Sequence, residues 1–173
     1  MIRTSILLLL LAATCTFSAC KKDDPAPQKN ITRIELRLNT PGFVETFQAL
    51  DSNNDGTWDT IDDLVLPALT GDISCEIRVF DASQTPVADL TNEVESESNT
   101  HVFTFEVSGA DLGIKPNDTA ADGKPFNLKT LWDAEEVSNG SVRIRLHHNP
   151  SDKTATEPGG EIDLDVVFVV KIQ

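Results

Sequence analysis

Apolar residues at every second position, repeated in block after block between residues 33 and 172, restrict most of this chain to β-strands. Ile34, Leu36 and Leu38 alternate with Arg33, Glu35 and Arg37, and Ile73, Cys75, Ile77 and Val79 with Ser74, Glu76 and Arg78. Phe103, Phe105 and Val107 repeat the pattern, as do Val142, Ile144 and Leu146. The last block carries Ile162, Leu164, Val166, Phe168, Val170 and Ile172 on one side. Its other side begins with Asp163 and Asp165 and turns to Val167 and Val169, which predicts a far half covered on both faces. Phe43, Phe47 and Ala49 form a short strand beyond the Pro41-Gly42 break, and a weaker strand is expected over residues 87–94. No segment has the 3.6-residue period of an amphipathic helix.

The expected fold is therefore all-β, a sandwich of about seven antiparallel strands. Its architecture resembles the immunoglobulin-like kind, although the Cys, Trp and Cys of true immunoglobulin domains are absent. In the hairpin formed by the final two strands, Arg143 and Arg145 are expected to share a face with Asp163 and Asp165. Two long polar stretches, 109–140 and 149–160, read as functional or mobile loops.

The first residues are of a different kind. Arg3 precedes an unbroken apolar run over residues 6–13, far short of the roughly 20 residues a spanning helix needs. A positive start, a short apolar centre and small residues at the end make a secretory signal. That end, Phe17-Ser18-Ala19-Cys20, resembles the lipobox of bacterial lipoproteins, in which small residues precede a cysteine that receives diacylglycerol. The resemblance implies cleavage before Cys20 and acylation of its sulfur; each buried methylene contributes about 0.8 kcal/mol, so several chains make a durable anchor. Cys20-Lys21-Lys22-Asp23-Asp24 resembles the surface-export signal of Bacteroidota lipoproteins and implies an outer-membrane, outward-facing location. The expected organisation is a signal peptide over 1–19, a lipidated flexible tether over 20–30 and a β-sandwich over 31–173.

Charge narrows the partners. Fourteen Lys+Arg stand against 28 Asp+Glu, a net charge of −14, and removing Arg3 with the leader makes it one unit more negative. Such a surface repels phosphate backbones and gathers cations, which excludes nucleic acid as an expected partner. With Cys15 cleaved off and Cys20 acylated, Cys75 stands alone and reads as a small buried hydrophobe.

One stretch has the spacing of a cation loop. Asp51, Asn53 and Asp55 occupy positions 1, 3 and 5 of a twelve-residue calcium loop, and Gly56 occupies the sharp turn at 6. Thr57 offers its carbonyl at 7, Asp59 acts at 9 and Asp62 stands at 12, where a bidentate Glu is usual. The shorter acid at 12 resembles dockerin-type loops. Strands rather than helices flank it, so calcium is expected as a structural ion; the alternative is an Asx-rich hairpin turn, for which Asn54-Asp55-Gly56 is also good chemistry.

Other chemistry is sparse. His147 and His148 are neighbours on a strand with rings on opposite faces, unable to share one ion, and His101 stands alone at a strand start. All three read as ordinary surface residues. Trp132 reads as a satellite core residue, with ligand contact from an exposed position as the alternative. No nucleophile elbow, phosphate-cradling loop or paired zinc ligands are visible.

The lipobox, the acidic tether, the Asp/Asn/Gly loop and the Gly159-Gly160-Glu161 turn into an alternating strand together resemble small Bacteroidota envelope lipoproteins, a resemblance that brings no activity with it. The expected function is a non-catalytic, lipid-anchored binding or accessory module that contacts the membrane and an envelope protein. The alternatives are a structural or adhesive surface protein and, more remotely, a hydrolase.

Overall fold

The computed structural model describes residues 29–68 and 71–173, so the expected leader, Cys20 and most of the tether lie outside the described residues. The alternation becomes two packed sheets, an all-β sandwich. β1 (Arg33–Thr40) and β2 (Phe43–Leu50) form a hairpin, and β3 (Thr60–Ile61) extends β2. β4 (Leu64–Leu66), β5 (Ile73–Asp81) and β6 (Ala88–Asp89) follow, then a short helix α1 (Thr91–Ser96) and a 3-10 turn over Ser98–Thr100. β7 (His101–Ser108), β8 (Gly113–Pro116), β9 (Lys129–Asp133), β10 (Ser138–His148) and β11 (Glu161–Ile172) complete the chain.

One sheet runs in the order β3-β2-β1-β5-β9-β8, with β6 also paired to β5; the other runs β4-β11-β10-β7. Every described pairing is antiparallel except β4 with β11. Between the sheets lie Ile34, Leu36, Leu38, Ile77 and Val79 from one side and Phe103, Ile144, Leu146, Val166 and Phe168 from the other, all buried.

Five details differ from the sequence reading. Among the described residues there are eleven strands against an expected seven or so, because strands of two to five residues are too short to show an alternation. The weaker strand expected over 87–94 shrinks to the two residues of β6, and its second half begins α1, which buries Thr91 and Val94. The stretch 109–140 is not one loop but contains β8 and β9. Val167 and Val169 are not covered: they remain 47% and 46% exposed on the outer face of β11.

The fifth difference shapes the site. β11 pairs Leu164 with Leu146 but Ile162 with His147, so Asp163 is an extra residue, a β-bulge. A bulge re-aims the side chains on either side of it. Ile162 accordingly turns outward at 38% exposure, while Asp163 and Leu164 both turn inward. Asp163 therefore leaves the face on which Arg143 grips Asp165, with Nε to Oδ1 at 2.7 Å. Arg145 pairs instead with Glu106 and Glu157.

Candidate functional site

The calcium-like loop bridges β2 and β3. Its ends are closed by ladder bonds from the Asp59 N–H to the Leu50 carbonyl and from the Asp62 N–H to the Gln48 carbonyl, both 2.9 Å. Inside, short Asx side chains hold the backbone, as such residues do in turns. The Asp51 carboxylate, buried, accepts the N–H groups of Asp55 at 3.2 Å and Gly56 at 2.8 Å. Asn53 Oδ1 accepts from the Asp55 N–H and Asp55 Oδ1 from the Thr57 N–H. Gly56 sits at φ +85°, a conformation in which a Cβ would be strained.

Positions 1, 3 and 5 are thus drawn into one turn, and the other acids are engaged elsewhere. Asp59 Oδ2 accepts from both the N–H and the hydroxyl of Ser52, at 2.7 and 2.5 Å, which holds its carboxyl below the usual range. Asp62 Oδ2 accepts from the Gln48 N–H on the adjoining strand. Thr57 is exposed. Trp58 pins the loop to the second sheet by donating its indole N–H to the Asp165 carbonyl at 2.8 Å.

The histidines overturn the sequence reading. His101, His147 and His148 are 0%, 2% and 5% exposed, not surface residues. His147 does point away from its neighbour, as strand geometry requires, but the loop 149–160 folds over it. Its Nδ1 meets the Gly159 carbonyl and its Nε2 the Thr104 hydroxyl, each at 3.0 Å, so both ring nitrogens are satisfied.

His148 turns inward instead, directly opposite His101 in the β7–β10 ladder. Their rings stack with centroids 4.7 Å apart and planes 5° apart. The bulge on β11 brings Asp163 to the same place, with Oδ2 3.2 Å from His101 Nε2. One ligand atom from each of the three lies within 4.8 Å of the others, and all three residues are buried. No spacing in the sequence signals this trio: His101 and Asp163 are far apart in the chain, and alternation assigns Asp163 to the wrong face.

A cavity of about 210 Å³ runs from the calcium-like loop to Asp163, lined by Ile31, Asp51, Trp58, Asp163 and Leu164 among others but by neither histidine. The two features therefore share one pole of the sandwich, the pole at which the chain enters β1 through Ile31 and Thr32. A second depression, about 500 Å³, runs along β7 between the sheets and is lined by Phe105, Val107, Ile114, Pro116 and Pro125. Such a volume falls within the range of ligand-binding clefts. The Phe103 N–H points toward this side, to the Phe126 carbonyl, so the alternation of the ladder turns the backbone of Phe105 and Val107 the same way.

No family model, curated protein or solved structure matches the chain.

Trp132 is not exposed: it lies on β9 at 0% exposure, its N–H on Thr130 Oγ1 at 2.8 Å and its ring edge-on to Phe105. Cys75 is buried as expected, and burial pushes its thiol up to about 12, which keeps it protonated and unreactive at neutral pH.

Proposed function

We propose that this protein is a lipid-anchored, non-catalytic binding or accessory module of the cell envelope, held at the outer membrane through Cys20, facing outward, with calcium seated in the loop 51–62. The observation that carries the reading is that loop. Asp51, Asn53 and Asp55 fold their oxygens into a single turn around Gly56, at positions 1, 3 and 5 of the calcium-loop spacing, and each accepts a backbone N–H of the loop. The ion's role is to stiffen the pole beside the tether. Eleven residues, 20–30, reach at most about 40 Å when extended, so the domain stays close to the bilayer.

The depression along β7, with Phe105, Val107 and Ile114 in its lining, supports a binding role. It offers apolar side chains together with unpaired strand edge, the combination by which an extended segment of an envelope protein adds to a sheet.

Adding calcium to the metal-free chain is expected to raise its melting temperature, by about 5–10 °C at a hundredfold excess over Kd. Differential scanning calorimetry reads this. The variant combining Asp51→Ala with Asp55→Ala is expected to lose the calcium-dependent rise; an equal rise in both proteins contradicts the loop as the calcium site.

A further inference from the structure

We propose that His101, His148 and Asp163 bind a divalent transition-metal ion of the zinc class, at a site separate from the calcium loop. The case rests on which polar atoms the fold leaves without partners. Among the described residues, His148 Nδ1 and Asp163 Oδ1 are buried side-chain atoms with no hydrogen-bond partner. Buried polar atoms of native proteins nearly always have one, and each exception calls for a cause.

A shared proton satisfies only part of the arrangement. It accounts for the contact of His101 Nε2 with Asp163 Oδ2, and leaves both orphaned atoms as they are. One cation lying among the three side chains gives His148 Nδ1 and Asp163 Oδ1 a partner together and takes the place of that proton.

The outer contact of His101 fits the same assignment. A histidine that ligates a metal through one nitrogen commonly donates its other N–H to a carbonyl. His101 Nδ1 faces the Glu97 carbonyl at 3.1 Å, which fixes the tautomer with Nε2 free to ligate. His148 Nε2 lies 3.2 Å from the Asn149 amide nitrogen, which donates to it, so ligation through Nδ1 requires that amide to turn its oxygen toward Nε2. His147, whose two nitrogens are both bonded within the fold, shows what a purely structural histidine looks like in the same strand.

Donor type selects the ion. Two imidazoles and a carboxylate suit zinc and its neighbours, whereas calcium takes oxygen ligands. Zinc bonds of about 2.0–2.2 Å in a tetrahedron put ligand atoms about 3.3 Å apart. The trio's ligand atoms lie within 4.8 Å of one another, and because the lone pairs lie in the ring planes, at least one of the two parallel imidazoles turns out of the stack to aim at a common ion. Three protein ligands leave a tetrahedral ion one further position, and the cavity beside Asp163 is the side from which an ion approaches. The acids lining this cavity, Asp51, Asp163 and Asp165, attract cations to its mouth.

The test uses the full chain in detergent, stripped of metal and purified without a histidine tag, with zinc chloride alone as the probe. Titration calorimetry is expected to show one zinc per chain, and the melting temperature to rise by about 5–10 °C at a hundredfold excess over Kd. His148→Gln and Asp163→Asn are expected to weaken binding by more than the roughly 10–100-fold that loss of an outer-shell partner causes. His147→Gln is expected to bind as the parent does. Cobalt(II) is expected to give the parent the intense visible bands of a four-coordinate site, unchanged by millimolar calcium. No zinc bound by the parent, or unweakened binding in folded His148→Gln, overturns the proposal. If both ligand variants fail to fold, the cobalt spectrum of the parent decides, and the weak bands of six-coordinate cobalt overturn it. The calcium loop is read by a different ion and different variants, so either assignment fails without the other.

Discussion

Replacing Trp132 with alanine is expected to destabilise the domain by about 3–5 kcal/mol, the range for removing a large aromatic from a packed core. Trp132 is the largest of the fully buried side chains, and it lies on β9 beneath the β7 edge that Phe105 shares with the apolar depression. Three losses coincide in the variant. Its ring contacts disappear, a cavity opens against β5 and β8, and the buried Thr130 hydroxyl loses the indole N–H it accepts at 2.8 Å. For a domain of this size the change corresponds to a fall in melting temperature of about 10–15 °C. Calorimetry of parent and variant checks it. The complete burial of Trp132 agrees with its reading as a core residue, and a fall of only a degree or two would favour the alternative of an exposed ligand contact.

Gly160→Ala comes next in magnitude. Gly160 sits at φ +84°, where an added Cβ costs about 1–2 kcal/mol by itself. Here the Cβ would also lie 2.2 Å from the His148 carbonyl oxygen and 2.9 Å from that of Asn149, both backbone atoms that cannot swing aside. The expected total is about 2–4 kcal/mol. Gly123, at φ +78° with nothing within 4 Å of the added atom, provides the comparison. Its alanine variant is expected to show only the conformational part, about 1–2 kcal/mol. Urea unfolding of the two variants isolates the steric component; equal losses would show that the 149–160 loop yields freely around position 160. Because the crowded carbonyl belongs to His148, a folded Gly160→Ala chain is also expected to hold zinc less tightly.

The sheets were legible because their residues repeat a local pattern. Ile34, Leu36 and Leu38, or Ile73 to Val79, state their facing in a few residues, and the structure buries them as the alternation predicts. What alternation cannot express is a change of phase. At Asp163 a single inserted residue reverses the facing of β11, exposing Ile162 and burying an aspartate that strict periodicity places outside. Val167 and Val169 mislead in the opposite sense, since an apolar outer face predicts a cover that the described residues do not supply.

The two candidate sites differ in the same way. The calcium loop is contiguous, so the positions of Asp51, Asn53, Asp55 and Gly56 show in the sequence, and the bonds among them follow from that spacing. The trio of His101, His148 and Asp163 is assembled from three neighbouring strands by ladder register and one bulge. Register is a property of the folded sheet, set by long-range packing, and none of the three residues carries it locally.

The proposed membrane attachment through Cys20 underlies the functional reading, because it would place the loop, the trio and the β7 depression at the cell envelope rather than in free solution. Intact-mass spectrometry of the protein extracted from the membranes that hold it tests this most directly. The expected mass is that of a chain beginning at Cys20 and carrying covalent acyl groups. A chain that retains residues 1–19, or one that begins near Cys20 with its sulfur unmodified, would contradict it.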